Sequence, residues 1–450
     1  MSKEKILAEK LARLAAEKGG RAYYVGGCMR DALLGIESGD VDVEVHGVSK
    51  EELEGIIDSL GTRLEYGKSF GIYSIAGSSL DIAMPRRERA TGNGHRSFEI
   101  DVDAFLGERN AAVRRDFTVN ALMQDVLTGN ILDFFGGTHD LQSKTLRHID
   151  KNTFVEDPLR VFRAAQFASR FGFEVSDETI TLCRTINVET LSIERVYLEL
   201  EKALTKAPKP SVFFEVLRKM NKLSPFFAEL EALIGIRQNP KYHAEGDAYT
   251  HTMMVLDAAA SFRGKVQNKT AFMLAALCHD LGKAVSTECE SGFFHAYGHE
   301  EKSALLADSL LRRLTSEKAL IKYVKNLTAL HMKPNALAGA GASVKSTNKM
   351  FDEATDPEAL IYLGLSDGIG KTPESPSNEE FLFKRLDMFR EIMARPFVSG
   401  NDLLSNGIAP SDSFSEILSY SHKLRLAGVD KDSALKQTLA YARKLNRNKN

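Results

Sequence analysis

Hydrophobic and polar positions change their period along this chain. Residues 1 to 20 read as an amphipathic helix with Ile6, Leu7, Leu11 and Leu14 on one side. From Ala22 to about Phe135 the pattern is β-rich with intervening helices. AYYV (22–25) and DVDVEV (40–45) read as short strands, and FGIYSIAG (70–77) followed by SSLDIAM (78–84) as a hairpin. The polar, Arg-rich, Gly-containing segment 84–100 reads as a mobile loop. After Asp157 apolar positions recur at helical spacing almost to the end. APKP (207–210) and Asn239-Pro240 mark helix breaks, and TPESPSN (372–378) reads as a linker.

Length and composition narrow the class. At about 150 residues per domain, 450 residues suggest about three domains. Hydrophobic residues at 43% and charged residues at 27% suit a chain that buries a core, and exclude a disordered tail protein or a collagen-like fibre. Lys plus Arg number 59 against 61 Asp plus Glu, a net charge of −2. That argues against a globally basic DNA-coating protein but leaves a local basic groove open. The last thirty residues carry eight Lys or Arg against two Asp, a basic helical tail or a solvated helix face. Cys28, Cys183, Cys278 and Cys289 are scattered, which fits neither a disulfide framework nor a thiolate zinc site. The N-terminus has no apolar h-region and no run approaches eighteen apolar residues, so the expectation is a cytoplasmic protein with no membrane contact.

Two constellations carry chemistry. In the first, Tyr23-Tyr24-Val25-Gly26-Gly27-Cys28-Met29-Arg30 reads as strand, Gly-Gly turn and helix. Glycines let a backbone approach a phosphate, the helix N-terminus offers free N–H groups, and Arg30 could reach phosphate oxygens. A simple tight turn is the plain alternative. Next, strand alternation puts Asp40, Asp42 and Glu44 on one face and three valines on the other. Stacked carboxylates repel, and a bound Mg²⁺ would relieve them. The alternative is an acidic edge strand, and Glu99, Asp101 and Asp103 alternate in the same way. Only the first set follows a Gly-Gly turn and helix, which favours Asp40 and Asp42.

The motifs that follow decide between these readings. They are Arg114-Arg115-Asp116-Phe117-Thr118-Val119-Asn120, then Asp133-Phe134-Phe135-Gly136-Gly137 with Asp140, then Glu156-Asp157-Pro158-Leu159-Arg160-Val161-Phe162-Arg163-Ala164, then Glu194-Arg195 with Glu199. In this order the sequence resembles the class II CCA-adding tRNA nucleotidyltransferases, relatives of bacterial poly(A) polymerases, over roughly residues 20 to 230. The resemblance implies that Gly26, Gly27 and Arg30 bind the triphosphate and that Asp40 and Asp42 hold two catalytic Mg²⁺ ions. It further implies that Arg115 contacts the nucleotide and that Asp157, Arg160 and Arg163 line the base pocket. Asp157 and Arg160 are i, i+3 neighbours on one helix face; a carboxylate can accept from the exocyclic amine of cytosine or adenine while a guanidinium donates to the ring nitrogen. Uracil and guanine present the opposite order. Asp81 is either a third carboxylate on a neighbouring strand or an ordinary strand-end acid. Where the family usually has a further Arg, this chain has Gln166, which leaves a phosphate role there in doubt.

The second constellation is histidine-rich. Six of the eleven histidines lie between 243 and 331. His251 follows Asp247 in a helix-like segment, His279-Asp280 reads as a pair within an apolar helix, and His295, His299, His331 and Asp367 come later. This part is similar to an HD phosphohydrolase domain over about 242–375. The resemblance implies His251, His279, Asp280 and Asp367 as metal ligands, with His299 and His331 as supporting or second-metal groups. Imidazole with carboxylate suits a transition metal such as Ni²⁺, Co²⁺ or Mn²⁺. The alternative is a degenerate HD fold kept for packing.

The expected fold class is α+β: a nucleotidyltransferase-type mixed-sheet head (1–140), a helical neck and body (141–241), an HD domain (242–375) and a helical basic tail (376–450). The implied function is template-independent addition of CCA to tRNA 3′ ends from CTP and ATP, with a metal-dependent phosphohydrolase in the HD part and no protein partner. Three alternatives stay open: an A-only or poly(A)-adding enzyme, an HD phosphohydrolase with an RNA-binding head, and an RNA-binding protein without turnover.

Overall fold

The structure is a computed structural model that describes residues 2–36, 39, 41–65, 71–90, 98–371 and 377–447. The chain divides into two compact units, Met1–Pro225 and Phe226–Asn450. In the first, the order is α1 (Lys3–Glu17), β1 (Arg21–Val25), α2 (Gly26–Leu33), β2 (Val41–His46), α3 (Lys50–Leu60), β3 (Arg63–Glu65), β4 (Ile72–Ile75), β5 (Leu80–Ala83), β6 (Arg86–Ala90), β7 (Phe98–Val102) and α4 (Glu108–Val113). There follow β8 (Met123–Asp125), β9 (Ile131–Leu132), α5 (Gly137–Gln142), β10 (Thr145–Leu146), α6 (Lys151–Phe154), α7 (Leu159–Phe171), β11 (Glu174–Val175), α8 (Asp177–Thr185), α9 (Ile193–Lys206) and α10 (Ser211–Lys219). The α+β class read from the sequence is what the chain adopts.

A seven-stranded mixed sheet, ordered β3-β4-β5-β2-β1-β8-β9 among the described residues, organises this unit. Its ladders are antiparallel except β2–β5, which are parallel and set Asp42 level with Asp81. Alternation along β2 sends Val41, Val43 and Val45 into a core with Leu53, Ile57, Tyr73 and Ile82. Tyr23 and Val25 of β1 feed a separate cluster with Ala112 and Met123. Helix α1 meets the first core through Ala8, Leu11, Ala12 and Ala15, whereas Ile6 is exposed. The expected hairpin forms as β4–β5.

The mobile-loop reading of 84–100 needs correction. Residues 86–90 and 98–102 pair as an antiparallel two-stranded sheet, with Arg87 level with Asp101 and Arg89 level with Glu99. The turn of this hairpin, 91–97, lies outside the described residues, as does most of the linker expected at 372–378.

Among the described residues the second unit is helical apart from one short hairpin and an isolated bridge between Arg237 and Asp247. Its order is α11 (Ala228–Glu231), α12 (Ala248–Phe262), α13 (Lys269–Cys278), α14 (Lys283–Ser286), β12 (Glu288–Glu290), β13 (Phe293–His295), α15 (His299–Leu314), α16 (Lys318–Leu330), α17 (Lys333–Gly339), α18 (Val344–Glu353) and α19 (Pro357–Ile369). Then come α20 (Glu379–Ala394), α21 (Gly400–Ser405), α22 (Phe414–Leu426) and α23 (Lys431–Arg447). Helix α13 is buried along most of its length, from Ala271 to Cys278, which explains its uninterrupted apolar run. The tail helices close a small core of their own around Leu403, Ile417, Ala434 and Ala442. Among the described residues no helix is long and apolar enough to cross a membrane.

Candidate functional site

In the first unit the site begins at a sharp junction. β1 ends at Val25 in extended geometry, and α2 starts directly at Gly26, whose φ is +69°. A Cβ at Gly26 would lie 3.2 Å from Arg115 Nη1 and 3.8 Å from Asp42 Oδ2. Glycine at this position thus leaves a cradle between a guanidinium and a carboxylate. Cys28 ties α2 to β2, its Sγ lying 3.4 Å from the Asp42 N–H that donates to it. Asp40 lies outside the described residues. Asp42, with Asp81 in register beside it, presents oxygen donors of the kind Mg²⁺ prefers.

Gly26, Gly27, Arg30, Arg115, Asp157, Arg160 and Arg163 all line one cleft of about 370 Å³. The structure thereby brings together every described nucleotide-binding candidate. It also adds Arg114, Asp116, Asn120 and Arg195 to the lining. A second cavity, of about 360 Å³, shares Arg114 and Arg160 with it and includes Arg86 and Glu156.

Beneath the cleft runs a hydrogen-bonded chain. Arg30, only 4% exposed, donates to Asp31 through Nε and to Asn120 Oδ1 at 2.7 Å through Nη1. Its guanidinium lies over the rings of Phe167 and Phe171. The Asn120 amide donates to Asp116, whose other oxygen accepts from Arg163 Nε at 2.7 Å. Burial pushes the Asp116 carboxyl up, but the Arg163 charge outweighs it and the value ends below the usual carboxylate range. Two candidate arginines are therefore fixed by buried acceptors at the base of the cleft.

Glu44 has a role the sequence left unassigned. Its side chain is buried, 2.9 Å from His46 Nε2 and within 3.4 Å of both Arg114 and Arg115. Burial opposes its charge, yet His46, Arg115 and Arg114 together bring the carboxyl down to about 2. The third acid of the alternating strand thus anchors the two arginines of the next motif.

Asp157 precedes α7 and is not on its face, a correction to the same-helix-face geometry. Its Oδ1 accepts from the Leu159 N–H, while Arg195 Nη2 lies 3.1 and 2.8 Å from its two oxygens. Arg160 donates to the carbonyls of Thr153 and Arg114. Gln166 is only 1% exposed. It is not part of the cleft lining, and its Nε2 has no partner among the described residues. The Asp133 motif is scaffolding: its carboxylate accepts from the N–H groups of Gly137 and Thr138. At Gly137 a Cβ would strike the Thr118 carbonyl, so only glycine fits.

The second site lies in the other unit. His251 is on α12, His279 caps the C-terminus of α13 with Asp280 next, His299 opens α15, His331 caps α16 and Asp367 is on α19. The His-Asp pair thus ends the apolar helix and is not inside it. All six side chains are buried. His279, His299 and His331 share one local device: each Nδ1 lies 2.7–2.8 Å from the carbonyl three residues back, Ala276, Ala296 or Thr328. Donation there sets the tautomer and turns the Nε2 lone pair inward.

Those lone pairs converge. His251, His279 and Asp367 form one group with donor atoms within 4.8 Å of one another, and Asp280, His299 and His331 form a second. His299 and His331 Nε2 sit 3.2 and 3.6 Å from the same Asp280 oxygen without a hydrogen bond among the described residues. Imidazole lone pairs facing a carboxylate oxygen repel unless a cation lies between them, so the donor set fits a metal. Burial raises the Asp280 carboxyl, but His279 and Lys283 outweigh it and hold it well below its ordinary value. Burial likewise opposes protonation of His251, while Asp367 and Glu245 override it and raise its value. The sequence reading omitted His243 and Glu245, which form a third group with His251. Their signal was present in the crowding of histidines after residue 243.

Comparison with known proteins bears on both sites. The Poly A polymerase head domain family matches residues 22–147, and the HD domain family matches 248–389. The multifunctional CCA protein of Halorhodospira halophila is 36% identical over 390 residues, covering 84% of this chain and 91% of that protein. The chain belongs to the multifunctional CCA protein family. The Mannheimia succiniciproducens multifunctional CCA protein is 38% identical over 391 residues, covering 83% of this chain and 88% of its own. Two solved structures share the fold of this family member. The Bacillus stearothermophilus CCA-adding enzyme in complex with CTP superposes with a TM-score of 0.67 at 20% identity, over 100% of both chains. The Thermotoga maritima CCA-adding enzyme complexed with tRNA gives 0.65 at 20% identity, over 97% of this chain and 94% of that one.

Proposed function

We propose that this chain adds C and A residues to tRNA 3′ ends from CTP and ATP without a nucleic-acid template. The observation that carries the reading is the single cleft in which Gly26 and Gly27 adjoin Arg115, Asp157, Arg160 and Arg163, with Asp42 at its edge. In this reading the terminal 3′-hydroxyl oxygen bonds to the α-phosphorus and pyrophosphate leaves with the electron pair of the broken P–O bond. Asp40 and Asp42 hold the metal, with Asp81 as a third oxygen donor. Mg²⁺, when bound there, neutralises the triphosphate and makes the hydroxyl more acidic. Gly26 and Gly27 let the phosphates approach α2, with Arg30 supporting from beneath, and Arg115, steadied by Glu44, contacts the nucleotide.

Asp157 accepts from the exocyclic amine of cytosine or adenine, and Arg160 donates to the ring nitrogen with N–H groups beyond those given to backbone carbonyls. Arg163, held by Asp116, closes the pocket. Residues 1–140 form the catalytic head, 141–241 the base-reading neck and body, and 376–450 the basic tail; the activity operates in the cytoplasm. The test is incubation with tRNA ending before CCA, after CC or after CCA, supplying CTP, ATP or both. CCA completed from both triphosphates is expected; addition of A alone would leave an A-adding enzyme.

A second activity is favoured by the convergent histidines of residues 242–375. Of that cluster His299, Asp280 and Asp367 line, with His243, Lys283 and Lys371, a cavity of about 320 Å³. We assign it hydrolysis of phosphate monoesters or 2′,3′-cyclic phosphates: a water oxygen bonds to phosphorus, a P–O bond breaks, and a proton passes to the leaving alkoxide. His251, His279, Asp280 and Asp367 would hold Ni²⁺, Co²⁺ or Mn²⁺, with His299 and His331 completing the set. Such an ion supplies a water that ionises near neutral pH. Lys283 and Lys371, each paired to a cluster carboxylate, add positive charge for the phosphate.

A further inference from the structure

We propose that Glu245 is a positioning residue of the histidine–aspartate cluster. Its buried carboxylate, held by His243, faces the outer nitrogen of His251 and fixes that imidazole with its inner nitrogen turned to the metal. The proposal rests on the reading of the cluster as a metal site and adds the group that orients one of its ligands.

His251 needs from a distance what the other histidines find locally. His279, His299 and His331 each hold Nδ1 against the carbonyl three residues back. His251 lies inside α12, and the carbonyl three residues before it, that of Ala248, already accepts from the Thr252 hydroxyl at 2.8 Å. The Nδ1 of His251 is served instead from outside the helix. The Gly370 carbonyl, just past α19, lies 3.1 Å away, and Glu245 Oε1 lies at 3.1 Å as well. Two acceptors there require Nδ1 to carry the proton, because a lone pair would otherwise face lone pairs. Nε2 is then the ligating nitrogen, and it sits among the cluster, 3.1 Å from Asp367 Oδ1 and 3.4 Å from His279 Nε2.

The two acceptors are not equivalent. The carbonyl is neutral, whereas Glu245 brings a full negative charge on a side chain only 2% exposed. A carboxylate behind a ligating imidazole fixes its orientation and makes it a stronger electron donor. Glu245 is itself held, since His243 Nδ1 donates to the same Oε1 at 2.7 Å. The His243 and His251 rings are 4.8 Å apart and nearly perpendicular, which lets both Nδ1 atoms approach one oxygen. The local sequence explains the placement. Asp247 caps α12 by accepting from the Thr250 N–H, and its other oxygen accepts from the Gly235 N–H. The Ala248 N–H donates to the Ile236 carbonyl, so the loop between is closed at its base. Gly246, at φ +122°, makes the turn that leaves Glu245 beside the first turn of α12.

The test is titration of the full chain with Co²⁺, followed by calorimetry and by visible absorption, in excess Mg²⁺ to fill the oxygen donors of the first unit. Glu245→Ala is expected to weaken Co²⁺ binding about tenfold or more, to leave the number of bound ions unchanged, and to shift the visible band of the bound ion. Glu245→Gln keeps the oxygen and loses the charge, so its affinity should fall between wild type and Glu245→Ala. Should Glu245→Ala fail to fold, Glu245→Gln alone decides. Wild-type affinity and an unshifted band in the folded variants would overturn the positioning role. Loss of one bound ion would overturn it too, because Glu245 would then be a ligand itself. Wild type that takes up no Co²⁺ would instead overturn the metal reading of the cluster, and the role of Glu245 with it.

Discussion

In the proposed reading, base choice rests on a few side chains whose partners the structure shows. Asp157 is clasped by Arg195, and Arg160 by two backbone carbonyls, so each is oriented before any nucleotide arrives. Asp157→Ala and Arg160→Ala should relax discrimination against UTP and GTP more than they weaken triphosphate affinity. Competition assays with the four triphosphates check this; lost activity with strict CTP and ATP preference would contradict it. Glu44 permits a pH argument. Its carboxyl falls from 4.5 to about 2 in the folded chain, equivalent to about 3 kcal/mol. A depressed carboxylate stabilises above its unfolded pKa, and that contribution disappears as pH falls from about 4.5 towards 2. Glu44→Gln should therefore be less stable than wild type at neutral pH, with the gap in urea midpoints closing through that window.

Helix α7 shows how one element serves the cleft and the core at once. Arg160 and Arg163 line the cleft, while Val161, Phe162, Ala164, Ala165, Gln166 and Ala168 are buried. Gln166 lies on the buried side, where an added charge would find no water. Gln166→Arg should lower stability by several kcal/mol without raising nucleotide affinity. Gln166→Met removes a buried amide that lacks a partner among the described residues, and should be neutral or stabilising by about 1 kcal/mol. Chemical denaturation of both variants decides between the interior placement and a phosphate-facing one. In the second unit three helix termini repeat the same Nδ1-to-carbonyl anchor, so the cluster is assembled from local turns that each element makes unaided.

At the scale of the whole molecule, two sites of different ligand chemistry lie in separate compact units. One offers carboxylate oxygens, the other imidazole with carboxylate, so they should respond to different ions. Asp42→Ala should reduce nucleotide addition at least about a hundredfold while leaving phosphohydrolase activity intact, because charge stabilisation at phosphorus is worth several kcal/mol. His279→Ala should do the reverse. Assaying both activities in each variant, in Mg²⁺ and then in Ni²⁺, Co²⁺ or Mn²⁺, is the check. Hydrolysis lost with Asp42→Ala and kept with His279→Ala would mean the chemistry belongs to the other site.

The sequence by itself determined what depends on residue type and short-range order: the mixed α+β class, the strand of β2, the hairpin β4–β5, the Gly-Gly junction and the motifs that mark the family. These follow from periodicities of two and 3.6 and from backbone freedom at glycine, which neighbouring residues impose. Only the tertiary structure decided which groups meet. Asp42 faces Asp81 because β2 and β5 run parallel in register, a pairing that links residues about forty apart. Glu44 became an anchor for Arg114 and Arg115 because the acidic strand packs beneath the next motif. Residues 86–90 and 98–102 paired into a hairpin, and Gln166 turned inward because α7 is covered on that side. Alternation tells which face a residue takes, but the partner on that face is chosen by long-range packing, where contacts distant in sequence outweigh local preference.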